Sequence, residues 1–319
     1  MISIKLILAQ IFFLQIINNL NSFGQNQNYS ITLNTSYFSI PNSNSLFSNL
    51  NEFTIESWIK NTGNNLDECN KTIIGNYGNL FQNNQIHHFG FNFKINCNRN
   101  LEFQYPEEIN NVSTLQSIVS TDTISYDWTH VAVVYKYGAF ILYINGIIDK
   151  VKLIQPLSIY ATFQQILDIN IGKRTLTANE YFNGNLDEIK IYNLGKSNEE
   201  ILQHSSKNCV NNIDNTGLLI WFDCNDFETI ENENILKCKN NSNYNSKVMG
   251  EFSIEEGPIL YVKTFTVNNQ DFENIQDAIN YADSITSKEV KLNCDSICQS
   301  FILKTGVILN LNNKSLTIE

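Results

Sequence analysis

Residues 128–146 read WTHVAVVYKYGAFILYING, and this stretch limits the possible folds more than any other in the chain. Two alternating runs, Val131-Val133-Tyr135 and Ile141-Tyr143, meet at a short turn, Tyr137-Gly138. A second turn, Asn145-Gly146, leads into a third run from Ile147 to Leu153. Asn-Gly between alternating apolar residues is the strongest short-range hairpin signal in a sequence. Three strands joined in this way form the middle of an antiparallel sheet. Upstream, Phe53, Ile55, Ser57 and Ile59 fall on one strand face, while Thr54, Glu56, Trp58 and Lys60 fall on the other. Asp168 to Gly172 reads as a further strand. A helix is expected from Asn198 to His204, because Ser197-Asn198-Glu199-Glu200 offers a cap and an acidic first turn. Many short strands with little helix describe a sandwich or jelly roll.

The motif W-x-H-V-A-x-V followed by L-Y-I-N-G resembles the central hairpin of laminin-G-like jelly rolls, within the concanavalin A-like lectin and glucanase superfamily. Phe53 to Lys60 is similar to that family's early strand, Tyr181 to Asn193 to its closing strand, and Gly217 to Asp223 to the short strand that often follows. The matches occur in the family's order over roughly residues 28–260. The resemblance implies an all-β, two-sheet jelly roll. It also implies a structural calcium ion at Asp187, the closing-strand acid, which alternation puts on the same face as Ile189 and Ile191. A satisfied hydrogen bond to a neighbouring strand is the other reading of that carboxylate.

The text changes near Val262. Thr264 to Val267 reads as a strand and Asp271 to Asn274 as a turn, and Ile275, Ala278, Ile279 and Ala282 recur at helical spacing. Strand-like pieces follow at Val290–Leu292, Phe301–Leu303, Val307–Leu311 and Leu316–Ile318. The order is similar to the opening of a pectin-lyase-type right-handed parallel β-helix with its capping helix. Phe272, Ile275, Gln276, Ala278, Ile279 and Ala282 carry that resemblance. Such coils bury their apolar face only against stacked neighbours, so the natural chain is expected to continue. The expected organisation is a leader (1–24), a jelly roll (25–260) and the start of a β-helix (261–319).

The leader has Lys5, an apolar stretch from Leu6 to Leu20, and small residues at Ser22 and Gly24 before a cleavage point at Gln25. That stretch is too short to span a bilayer, so a secreted or cell-surface protein without direct membrane insertion is expected. In an oxidising compartment the seven cysteines are read first as disulfides. Cys69 and Cys97 flank two strands, Cys224 and Cys238 enclose an acidic loop, Cys294 and Cys298 lie close together, and Cys209 is left over. Zinc is disfavoured because no C-x-x-C pair exists. Asn28, Asn34, Asn70, Asn111, Asn240 and Asn313 stand in glycosylation sequons. A net charge of −11, spread without blocks, argues against nucleic acid and anionic membranes as partners.

Retaining glucanases carry alternate acids in an E-x-D-x-x-E or E-x-D-x-E run, which sets two carboxyls roughly 5 Å apart. No such run occurs here, and Glu56 stands alone in its strand. A G-x-S-x-G elbow is also missing, and His130 reads as a strand-start residue. Ligand contact is expected at the sandwich rim, from Asn61, Asn64, Asp67, Tyr77, His87, His88, Arg174 and Asn185, since amides, acids and aromatic rings suit sugars. The function expected is non-catalytic recognition or adhesion, with glycans or extracellular glycoproteins as partners. Two alternatives are the targeting domain of a secreted β-helix polysaccharide lyase or hydrolase, and a structural surface protein with no small ligand.

Overall fold

The computed structural model describes residues 28–47, 50–62, 69–82, 84–109, 112–154, 167–175, 180–205, 215–230, 233–258, 265–268, 270–272, 275–286, 288–292, 296–298, 301–311 and 316–318. Contacts divide the chain into two compact units. Tyr29–Ser206 with Asn212–Pro258 is one; Met1–Asn28, Lys207–Asn211 and Ile259–Glu319 is the other. The expected leader lies outside the described residues. No helix among the described residues is long and apolar enough to cross a membrane.

The first unit contains β1 (Tyr29–Leu33), β2 (Tyr37–Ile40), β3 (Phe53–Asn61), β4 (Lys71–Gly75), β5 (Gly78–Gln82), β6 (Gln85–Phe89), β7 (Asn92–Ile95), β8 (Asn100–Ile109), β9 (Val112–Thr123), β10 (Thr129–Lys136), β11 (Ala139–Ile144), β12 (Ile147–Leu153), β13 (Ile169–Ile171) and β14 (Gly184–Tyr192). Helix α1 (Asn198–His204) follows, then β15 (Leu218–Phe222), β16 (Phe227–Ile230), β17 (Glu233–Leu236), β18 (Ser246–Met249) and β19 (Phe252–Glu256). One sheet runs β12-β11-β10-β3-β14-β1-β19, with β15 also on β14, and the other runs β16-β17-β18-β2-β13-β4-β7-β8-β9. Strand pairing within both is antiparallel, and β5–β6 is a separate hairpin. This is a jelly-roll-like sandwich.

Both central turns have the left-handed backbone that their sequences suggest. Tyr137 and Gly138 have φ of 51° and 71°, and Asn145 and Gly146 have 49° and 78°. Positive φ at both central residues matches the right-handed twist of the flanking strands. The core lies between the sheets and is rich in aromatic rings. Tyr105 and Phe140 pack at 4.5 Å between centroids, and Phe103 and Phe140 at 5.1 Å. A fully buried Phe contributes roughly 1.5–3 kcal/mol. Strand β10 is buried on both faces, which accounts for its unbroken apolar text. Val131, Val133 and Tyr135 enter the core, while Ala132 and Val134 meet Tyr143 and Ile201 of α1. Helix α1 begins where the cap signal put it. The Glu200 backbone N–H donates to Ser197 Oγ (3.2 Å) and the Ser197 N–H donates to Glu200 Oε2 (2.6 Å), a reciprocal capping box.

Two expectations about this unit change. Asp187 does not follow simple alternation. Glu188 takes φ 49° and the register shifts between Asp187 and Lys190, so Asp187 pairs with Trp58 and Lys190 with Glu56. The extra residue of the bulge separates Asp187 from the face of Ile189 and Ile191. Cys69 and Cys97 form a disulfide, but Cys224 and Cys238 are free and buried. Cys224 is hydrogen-bonded at the Ile31 backbone and the Cys238 sulfur lies 3.3 Å from Asn240 Oδ1, so the two thiols have other partners. Among the sequons, Asn28 is buried. Asn34 and Asn240 are exposed and Asn70 is half-buried; Asn111 and Asn313 lie outside the described residues.

The second unit holds β20 (Phe265–Val267), β21 (Gln270–Phe272), α2 (Ile275–Ser284), β22 (Glu289–Leu292), β23 (Ser296–Cys298), β24 (Ile308–Asn310) and β25 (Leu316–Ile318). The helical spacing is right: Ile275, Ala278, Ile279 and Ala282 are buried with Val267, Val290, Leu292 and Val307. The described strands do not by themselves show the expected parallel β-helix. β20 pairs antiparallel with both β21 and β22, while parallel pairing is limited to β22–β24 and β23–β25. The expected turn at 271–274 contains strand residues. Phe301–Leu303 is not a strand, and Ile302 and Leu303 are 72% and 50% exposed. Cys209 and Cys294 lie outside the described residues, and Cys298 ends β23.

Candidate functional site

The second sheet has one apolar transverse row and one polar row beside it. Phe38, Ile171, Ile74, Phe93, Phe103 and Ile118 pair successively across β2, β13, β4, β7, β8 and β9, and all belong to the core. One residue along each strand, the same ladder reads Ser39, Asn170, Gly75, Asn92, Gln104 and Ser117. Cross-strand partners share a face, and successive residues alternate faces. The face turned away from the core therefore carries an unbroken polar row. Gly75 is required at its centre, since a Cβ there would lie 2.6 Å from the Phe91 carbonyl oxygen. A second row on the same face pairs Thr72, Lys94 and Glu102.

Side chains from β6 and the segments after β4 and β13 cover these rows. Tyr77 and His88 stack at 5.9 Å, and the Tyr77 hydroxyl lies 2.6 Å from His88 Nδ1. The Arg174 guanidinium sits 4.4 Å over the Tyr77 ring, and its Nη1 is 2.7 Å from Glu180 Oε1. Burial raises the Tyr77 phenol, and burial followed by Arg174 and His87 lowers His88. Both shifts favour a neutral pair in which Tyr77 donates and His88 Nδ1 accepts. Lys94 Nζ contacts Asn70 Oδ1 (2.9 Å) and Glu102 (3.7 Å), and burial lowers its pKa despite that carboxylate. Gln104 Nε2 donates to Glu102 Oε1 at 3.0 Å.

Several atoms in this cluster lack partners. Among the described residues, Thr72 Oγ1, both side-chain heteroatoms of Asn92, Gln104 Oε1, Arg174 Nε and Glu180 Oε2 are buried without a hydrogen bond. Buried polar atoms are nearly always satisfied, and leaving one unsatisfied costs about 1–3 kcal/mol. These atoms gather beside the Lys94–Glu102 and Arg174–Glu180 pairs. Arg174 and Glu180 are 19% and 18% exposed.

Of the expected rim residues, Tyr77, His88 and Arg174 converge here. His87 lies on the opposite hairpin face, paired with Leu80. Asn61 and Asn185 are buried in structural roles. Asn61 Oδ1 accepts from Lys71 at 3.0 Å, and Asn185 Nδ2 donates to Thr32 Oγ1 at 2.6 Å. Asn64 and Asp67 lie outside the described residues. Asp187 is fully buried and its Oδ1 accepts the Glu188 N–H at 2.7 Å. No group of three His, Cys, Asp or Glu side chains converges among the described residues.

Glu56 is the acid whose surroundings sequence reasoning missed. It is buried on the outer face of the first sheet, beneath α1. Tyr192 Oη donates to Oε1 at 3.2 Å, His204 Nδ1 lies 2.8 Å from the same oxygen, and His130 Nε2 lies 3.6 Å from Oε2. Burial would raise its pKa, but His204 and His130 hold it well below the usual carboxylate range. The carboxylate is fully partnered by Tyr192, His204 and His130, which makes this cluster structural.

Residues 32–202, more than half of the chain, match the Laminin_G_3 family model of the concanavalin A-like lectin/glucanases superfamily. The chain belongs to this superfamily. Among solved structures, it is similar to a candidate carbohydrate binding protein from Bacteroides ovatus, at 16% identity and a TM-score of 0.49, covering 74% of this chain and 62% of that one. The chain therefore spans less than two thirds of that protein's length. It is also similar to the CBM40 of the Ruminococcus gnavus IT-sialidase, bound to α2,3-sialyllactose, at 15% identity and 0.45, covering 56% and 96%. A Limulus polyphemus pentraxin is similar at 14% identity and 0.34, covering 59% and 80%. No curated protein matches the chain in sequence. Within this superfamily fold, the polar row lies on the outward face of one of the two sheets.

Proposed function

We propose that the jelly roll is a non-catalytic glycan-recognition module of a secreted or cell-surface protein. The observation that carries this reading is the set of unpartnered buried groups on Thr72, Asn92, Gln104, Arg174 and Glu180, gathered on one sheet face. Sugar hydroxyls donate and accept, so they match a site offering both kinds of group. Tyr77, His88 and Arg174 add flat surfaces beside it. The two carboxylates of the site each face a cation, Glu180 facing Arg174 and Glu102 facing Lys94. Glycoside hydrolysis needs one protonated carboxylic acid, and a cation beside each works against that. Extracellular glycoproteins remain proposed partners through their glycans.

The parallel pairs β22–β24 and β23–β25 support a second reading, in which residues 261–319 open a parallel β-helix that the jelly roll targets to a surface. The test of the main reading is a glycan array probed with the full chain, with calcium and then with chelator. Specific binding that Asn92→Ala abolishes, while the fold is retained, is the expected result. Binding to no glycan, or binding indifferent to Asn92→Ala and Gln104→Ala, would refute the reading.

A further inference from the structure

We infer that the ligand of this face is a neutral sugar, recognised through its hydroxyls without a metal ion and without an acidic group. The inference rests on the glycan-recognition reading above and narrows it to a chemical class.

The unpartnered atoms are of both kinds. Asn92 Nδ2 and Arg174 Nε are donors; Asn92 Oδ1, Gln104 Oε1 and Glu180 Oε2 are acceptors; Thr72 Oγ1 is both. A carboxylate or sulfate only accepts. By itself it would satisfy the two nitrogens and leave the three oxygens to the hydroxyls of the same sugar, so what sets an acidic sugar apart is its charge, which would face that of Glu180. Hydroxyl groups do both, so a ring bearing adjacent hydroxyls can satisfy nitrogens and oxygens together.

The charges give the same answer. Arg174 is paired with Glu180 at 2.7 Å and Lys94 with Glu102 at 3.7 Å. The two cations and two anions cancel, leaving no net positive charge to attract an acidic sugar. Arg174 Nε and Glu180 Oε2 belong to that same ion pair and are both buried without a partner, so one hydroxyl that accepts from the first and donates to the second would suit them. The molecule as a whole carries −11, which repels polyanions over longer range. Bridging calcium is disfavoured for a separate reason: the oxygens that would hold it lie beside the Arg174 guanidinium and the Lys94 ammonium.

The test is calorimetric titration of the full chain with matched probes: lactose and maltotriose as neutral sugars, 3′-sialyllactose and trigalacturonate as acidic ones, each with calcium and with chelator. The inference expects the neutral array hits and at least one neutral probe to bind equally well with chelator. It also expects Gln104→Ala to weaken that binding at least tenfold with an unchanged melting temperature. Glu180→Gln removes one negative charge, so it should improve binding of acidic probes relative to neutral ones. Tight binding of the acidic probes alone, lost in Arg174→Ala, would overturn the neutral-sugar inference and leave glycan recognition standing. Binding abolished by chelator would overturn it in the same way. Absence of binding to every probe and to the whole array would overturn the recognition reading itself.

Discussion

At the scale of single residues, the molecule is shaped by polar groups placed where water does not reach. Glu56 has two histidines and a tyrosine around it in a closed space, and its partners come from β10, β14 and α1. Removing one member of a buried charged pair typically costs about 3–5 kcal/mol, so Glu56→Gln should lower unfolding free energy by roughly 3 kcal/mol in urea titration. The cluster also sets a pH dependence. Burial holds His130 below its ordinary value of 6.5, so the unfolded chain takes up that proton first and stability falls as pH drops below that value. Glu56 is held below its ordinary 4.5, so its contribution is present above that value and is lost on further acidification. Urea midpoints should therefore decline from pH 7 to pH 4, and Glu56→Gln, which removes the carboxylate that raises His130, should steepen the part of that decline set by the histidine. A decline of the same depth in Glu56→Gln would show that the cluster does not set it. In the sequence Glu56 stood alone in its strand. Its partners lie at 130, 192 and 204, and distances of that kind are set by sheet register.

At the scale of elements, the local signals were readable because their causes are local. Tyr137-Gly138 and Asn145-Gly146 adopt the left-handed turns that their composition suggests, and α1 starts at its Ser197 cap. Replacing that cap with alanine should cost about 1 kcal/mol and loosen Ile201 from Ala132 and Val134. Tyr137 is 88% exposed with φ 51°, a conformation that asparagine tolerates better than a bulky aromatic residue. Tyr137→Asn should therefore raise stability by about 0.5–1 kcal/mol in thermal unfolding. The bulge at Glu188 was not readable. Nothing in Leu186-Asp187-Glu188-Ile189 distinguishes an inserted residue from plain alternation, so Asp187 was assigned to the wrong face. In the second unit, the spacing of Ile275, Ala278, Ile279 and Ala282 defined α2, whereas strand partners depended on contacts that the text does not encode.

At the scale of the whole molecule, the candidate site arises from register across six strands. Ser39, Asn92, Gln104, Ser117 and Asn170 are scattered through the sequence and become one row only after β2, β13, β4, β7, β8 and β9 align. The sequence did hold a partial signal. Asn92-Phe93-Lys94-Ile95 and Phe103-Gln104-Tyr105 alternate polar with aromatic or aliphatic residues, as strands do when their second face has a task. Tyr77, His88 and Arg174 were identifiable by side-chain chemistry, though the sheet face beneath them was not. The Cys69–Cys97 disulfide closes a separation of 28 residues between β4 and β7, two strands that carry the row. Loop-closure entropy gives that bridge about 3–4 kcal/mol, so reduction should lower the urea midpoint sharply and weaken glycan binding with it.

The most direct test of the account follows the side-chain amide resonances of Asn92, Gln104 and Asn170 in an isotope-labelled full chain while the best array glycan is added. Saturable shifts at Asn92 and Gln104, with little change at Asn61 and Asn185, are the predicted result. Shifts confined to the sandwich rim, with Asn92 and Gln104 unmoved, would contradict the claim that this sheet face binds the ligand.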